Sequence, residues 1–184
     1  MKKNLSGGVA VAVRAKPALR AATNTPNIPG PEKGHEWLNQ LVGRWHAEVQ
    51  MFMEPGKRPA RSEGLETVRA LGGFWSIAEY KGTLMGKPFR GMLTLGYNPL
   101  NSRYVGTWIG SLESYLWRYE GGLDPTGKIM TLESEGYCPM NPGNLTKVRE
   151  VIELTNKDHR RFISSRLGND GKWVTSMIIN YTRI

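Results

Sequence analysis

The chain has 184 residues, of which 39% are hydrophobic, with 22 glycines and 11 prolines scattered along it; this is enough to bury one core and favours strands joined by tight turns over helices. Its single cysteine, Cys138, excludes an internal disulfide and with it a stapled extracellular scaffold. The formal charge of +9 is uneven: Lys2, Lys3, Arg14, Lys16 and Arg20 precede the first acid and leave only +4 for the rest, which has no compact Lys/Arg run interleaved with aromatics and so argues against nucleic acid as a partner.

Residues 1–30 are poor in large apolar side chains and end in a Pro/Asn-rich stretch, so they are expected to form a disordered or targeting tail rather than a packed element. Lys2 and Lys3 followed by Leu5 to Val13 have the order of an export signal, but Gly7 and Gly8 dilute the apolar stretch and Arg14 closes it early. A cytoplasmic location is therefore the expectation, with export as the open alternative. No stretch reaches the roughly 18 apolar residues that a membrane-spanning helix requires.

The domain is expected to run from residue 31 to 184. Glu32 to Leu41 places Trp37, Leu38 and Leu41 at helical spacing, which predicts a short amphipathic helix that closes or flanks one end of the domain. From Gly43 the period changes to two. Trp45, Ala47, Val49 and Met51 alternate with Arg44, His46, Glu48 and Gln50, and similar segments recur over 61–71, 74–80, 89–97, 103–109, 114–121, 128–137, 145–155, 160–167 and 173–183. Turn residues such as Gly72 and Gly73, or Asp124 to Gly127, separate them. About ten strands with short connections exclude parallel βαβ units, and their length favours an up-and-down antiparallel barrel over a sandwich. The fold class is thus all-β, a soluble barrel with a short N-terminal helix.

Gly43, Arg44 and Trp45 at the start of the first strand resemble the Gly-x-Trp signature of the calycins, the lipocalin and fatty-acid-binding superfamily, and Arg183 near the end of the last strand matches their closing arginine. The resemblance implies that Trp45 and Arg183 form a barrel-closing pair on neighbouring first and last strands. A longer succession covers most of residues 34–184: Leu41 to Trp45, Leu71 to Phe74, Leu95 to Asn98, Tyr104 to Trp108 and Tyr181 to Arg183. It is similar to the bacterial domain of unknown function 1579 (DUF1579) family, whose members are lipocalin-like barrels. The chain departs from that pattern at Asn98 and Gly110, where the family tends to carry acids.

Chemistry-bearing motifs are few. Gly122 to Lys128 has most of a phosphate loop, but Ile129 replaces the magnesium-binding hydroxyl and no helix comes after it, so a hairpin turn is expected. His35, His46 and His159 are too dispersed for a metal centre, and the last strand has no histidine for haem, so no metal or cofactor is expected. What stands out is aromatic density. Tyr104 and Trp108 share one face of their strand and Tyr115, Trp117 and Tyr119 one face of theirs, and one of these sets is expected to point inward, with Met92 as adaptable contact. The candidate lining is Met92, Tyr104, Trp108, Tyr115, Trp117 and Glu79. The partner so implied is a small hydrophobic molecule. The alternative is an enzyme using the same cavity, with Glu79 or Glu133 and a tyrosine hydroxyl for acid–base work; a basic tail tethering the barrel to RNA or acidic lipid is a third reading.

Overall fold

In the computed structural model, residues 29–54, 56–137 and 145–184 are described; Cys138, the loop 138–144 and the tail of residues 1–28 lie outside them. Helix α1 (Lys33–Leu38) runs into a 3-10 turn (Asn39–Leu41). Ten strands come after it: β1 (Gly43–Met51), β2 (Ala60–Leu71), β3 (Trp75–Leu84), β4 (Lys87–Asn98), β5 (Arg103–Gly110), β6 (Trp117–Leu123), β7 (Ile129–Tyr137), β8 (Leu145–Leu154), β9 (His159–Leu167) and β10 (Trp173–Arg183). Every strand pairs antiparallel with its chain neighbours, and β1 pairs with β10, so the sheet closes into an up-and-down barrel. The segment 31–184 is one compact unit.

Two-residue periodicity decides what faces inward. Trp45, Ala47 and Val49 of β1, Val68 of β2, Ala78 and Tyr80 of β3, Leu95 of β4, Tyr104 of β5, Trp117 and Tyr119 of β6, Met130 and Leu132 of β7, Ile152 of β8, and Ile179 and Tyr181 of β10 belong to one buried cluster. Rings fit inside because several inward positions are glycine. A Cβ at Gly91 would collide with the Trp108 ring, and one at Gly136 with the rings of Tyr115 and Trp117.

Two segments depart from the expected boundaries. β3 and β4 extend to Leu84 and Lys87, because Met85 (φ 52°) and Gly86 (φ 75°) make a two-residue turn with both residues left-handed. β6 begins at Trp117 rather than Ser114, because Glu113 turns back toward the barrel and accepts hydrogen bonds from two indoles. The seam from β6 to β7 is correspondingly short: only Glu120 to Leu123 pair with Met130 to Glu133, against nine pairs between β7 and β8.

One end is plugged. Trp37, Leu38 and Leu41 are buried, Trp37 Nε1 donates to the Gly127 carbonyl (2.8 Å), and the Tyr104 hydroxyl donates to the Gly34 carbonyl (2.9 Å). The Arg183 guanidinium lies 4.0 Å from the centre of the Trp45 ring and donates to the carbonyls of Val42 (2.7 Å), Gln40 (3.0 Å) and Lys157 (2.9 Å). Trp45 Nε1 donates to the Leu41 carbonyl (2.8 Å), so the first strand, the last strand and the plug are tied at one point. Gly43 is required there twice over: its φ is 141°, and a Cβ would run into the Arg183 guanidinium. Gly43→Ala is expected to destabilise the domain by about 1–3 kcal/mol, read as a lower denaturant midpoint at unchanged slope; an unchanged midpoint would count against this tie.

Candidate functional site

Among the described residues the opposite end carries no helix, and its inward residues differ from those at the plug. Leu93, Trp108, Val148, Phe162 and Met177 are only partly buried. Each belongs to the inward row of its strand: Leu93 is paired with Ala78 and Trp108, and Phe162 with Ile152 and Ile179, all members of the core or packed against it. The inner wall that these partly exposed side chains form, away from the plug, is largely apolar.

The expected lining residues divide. Trp108 and Trp117 are cross-strand partners on the inner face, and Gly106 pairs with Tyr119, so both aromatic sets point inward rather than one. Tyr115 stands at the mouth, its ring 5.0 Å from that of Trp117 and its hydroxyl donating to the Glu135 carbonyl (3.2 Å). Tyr104 is inward but belongs to the plug, packed on Trp37 with ring centres 5.9 Å apart; burial pushes its pKa up to about 12, helped by Tyr97. Met92 and Glu79 are corrected. They pair with each other across β3 and β4, one residue out of step with Ala78 and Leu93, so both face outward. Glu79 lines an outer depression of about 370 Å³ with Arg44, Leu65, Thr67 and Lys81. Glu133 is also outward, held by Arg149 (2.7 Å). Neither acid weighed for catalysis faces the barrel interior.

Three other carboxyl groups do turn inward. Glu113, on the β5–β6 connection, accepts from Trp108 Nε1 (2.9 Å) and Trp117 Nε1 (3.0 Å) with its two oxygens, fixing both rings at the mouth. Glu66 of β2 is buried near the plug, where it is paired with Arg160 and accepts from the Tyr181 hydroxyl (3.1 Å). Arg160 is itself wedged between rings, 3.9 Å from the centre of Tyr181 and 4.7 Å from that of Trp45. Burial lowers its pKa to about 10, so it stays charged at neutral pH. Burial likewise raises Tyr181 to about 12.

Glu150 of β8 is the third. It is 6% exposed; Oε1 accepts from the Ser164 hydroxyl (3.1 Å), and Ser164 is in turn contacted by Ser176 Oγ (3.3 Å). Oε2 has no hydrogen-bond partner. Burial drives the carboxyl pKa up to about 8, against the opposing pull of the Ser164 and Tyr119 hydroxyls. Tyr119 is raised as well, first by its own burial and then by the charges of Glu150 and Glu113. Ser134 Oγ, on the inward row of β7, and Arg160 Nε are the other buried side-chain polar atoms without a partner among the described residues.

These inward polar residues carried a weak signal in the sequence. Glu150 stands in step with Val148, Ile152 and Leu154, so strict alternation places it on the apolar face of its strand. Glu66 stands likewise in step with Gly64 and Val68, and Arg160 with Phe162. The apolar Leu65 and Val151 in the opposite phase blur that pattern.

A closed antiparallel barrel plugged by a helix at one end, with its first and last strands locked by a tryptophan and an arginine, defines a calycin-type, lipocalin-like β-barrel protein. The chain belongs to the family described as "Protein of unknown function (DUF1579)", whose model matches residues 30–183. Among solved structures it is similar to Rv2717c from M. tuberculosis, at 13% identity and a TM-score of 0.59, covering 83% of this chain and 98% of that one. It is similar also to the S-type phycobiliprotein lyase CPES from Guillardia theta, at 13% identity and a TM-score of 0.53, covering 81% and 91%. At these identities the likeness is one of fold. No curated protein matches the chain. Among the described residues, no helix is long and apolar enough to cross a membrane.

The raised pKa of Glu150 has a sign that can be measured. Between about 4.5, the ordinary carboxyl value, and about 8, the folded protein holds a proton that the unfolded chain has released, so stability falls as pH rises through this window and is level beyond it. Glu150→Gln removes that dependence. Relative to wild type the variant is expected to gain on the order of a few kcal/mol between pH 4 and pH 9, read from denaturant unfolding at both values; parallel pH profiles would show that Glu150 is not held neutral.

Proposed function

We propose that the barrel binds a small, largely apolar molecule in its open half. The observation that supports this most directly is the partial exposure of mid-strand, inward side chains, Leu93 and Phe162 above all. A well-packed core leaves no such surface wet. Covering it with a ligand removes apolar area from water, at roughly 25 cal/mol for each Å². The wall that would receive the ligand is mostly aromatic and aliphatic, with a few polar groups among it, which is the usual make-up of small-molecule pockets. Glu113 contributes rigidity by fixing the orientation of both mouth indoles before any ligand arrives, which lowers the entropic cost of binding.

The test uses the two mouth tryptophans as reporters. Dodecanol and the dye 1-anilinonaphthalene-8-sulfonate are expected to bind the purified full chain saturably at one site, changing tryptophan emission. Leu93→Trp, which fills the cavity from the middle of β4, should weaken both by about tenfold or more while the far-UV circular dichroism stays that of a β-barrel. Absence of saturable binding of either probe to the wild type would overturn the reading.

A further inference from the structure

Two inward carboxyl groups of this barrel have solved the problem of burial in different ways, and the comparison indicates what the cavity is built to receive. Glu66 has a hydroxyl donor, Tyr181, and a cation, Arg160. Glu150 has a hydroxyl donor, Ser164, and the Tyr119 hydroxyl beside it, but no cation, and Oε2 accepts no hydrogen bond of normal geometry. Leaving a carboxyl oxygen buried and unpartnered costs free energy that a merely structural residue would not be expected to carry. Burial keeps the proton on Glu150 at neutral pH, and the partner that would let it ionise is a positive charge, with Ser164 already placed to donate to Oε1.

The surroundings agree. Ser134, whose Oγ is also unpartnered, stands one inward step from Glu150 on the neighbouring strand: Ser134 pairs with Val148, and Leu132 with Glu150. The inner face of the open half also presents the rings of Trp108, Trp117, Tyr119 and Phe162. An ammonium group has several N–H donors, enough to meet both orphan oxygens, and aromatic faces attract the charge and the carbons around it. A carboxylate ligand would instead set two acids against each other, and an alcohol would bring no charge to offset the ionisation of Glu150.

We infer that the ligand of the barrel is an apolar amine, whose ammonium nitrogen is bound by Glu150 and Ser134 while its hydrocarbon lies against the aromatic wall. This rests on the binding reading given above and narrows it to a chemical class. Binding transfers the countercharge into the site, so Glu150 gives up its proton to solvent as the amine docks. The groups that face this carboxyl are Tyr119 from β6, Ser164 and Arg166 from β9, Leu132 and Ser134 from β7, and, acting through Tyr119, Glu113 at the mouth.

Dodecylamine, dodecanol and dodecanoate, compared on the full-length protein at pH 7, separate the two readings. The amine is expected to bind about tenfold or more tightly than the alcohol, with dodecanoate the weakest. Adventitious attraction cannot produce this order, because the chain is itself positively charged. Glu150→Gln, which keeps an acceptor for Ser164, should reduce the preference for amine over alcohol to within about twofold. A wild-type measurement guards against a poorly folded variant: amine affinity should rise between about pH 6 and pH 9 while dodecanol affinity stays level, since an alkylamine, like a lysine side chain, remains charged across that range. An amine that binds no better than dodecanol, or a preference that survives Glu150→Gln, would overturn this inference and leave the cavity reading standing. Failure of all three probes to bind would sink the cavity reading and this inference with it.

Discussion

The structure depends on one aromatic ring held between two guanidinium groups. Trp45 has Arg183 at 4.0 Å and Arg160 at 4.7 Å from its centre, and its indole nitrogen donates to the 3-10 turn that precedes β1. Through those contacts it joins β1, β9, β10 and the plug. Removing it would do more than open a hole of its own volume: Arg160 would lose one of its two ring faces, and Arg183 would lose the surface over which its three carbonyl contacts are organised. A closed barrel has no redundant strand, so the junction where the chain's two ends meet determines whether the ring forms at all.

Polar side chains lie at three levels along the barrel axis. Near the plug, Glu66 and Arg160 neutralise each other and every neighbour is buried; such a pair contributes little net stability, but it specifies which side chains share that layer. At the mouth, Glu113 is satisfied by two indole N–H groups and serves as a brace. Midway, Glu150 is the least satisfied of the three. An unpartnered atom remains at two of these levels, Arg160 Nε near the plug and Glu150 Oε2 midway.

The fold is legible in the sequence because its signals are local and repeated. Alternation from Gly43 onward, Gly/Asn/Asp turns and the change of period after Leu41 each point to the same ten-stranded arrangement, and the strand limits agree with the structure to within a few residues at most boundaries. The Gly-x-Trp segment makes physical sense only with the positive φ of Gly43 and Arg183 above it. The lining is harder to read. Periodicity says that two sets of side chains lie on opposite faces, but where both phases are mixed, as around Glu79 and Met92, it does not say which phase is inside; cross-strand register decides that, and register is a property of the closed sheet. Trp108 and Trp117 stand out because rings are conspicuous, whereas Glu150 looks like any surface glutamate until its strand is laid beside β7 and β9.

The brief β6–β7 seam makes the wall mechanically unequal around its circumference. Trp117 and Tyr119 on one side and Ser134 to Tyr137 on the other are not laddered to each other, and Tyr115 leans across toward the Glu135 carbonyl at their upper end. Thermal fluctuation parts a sheet where the fewest amide bonds must be broken together. Along this flank the fewest ladder bonds oppose separation, and the nine-pair ladder beside it is the stiffer neighbour.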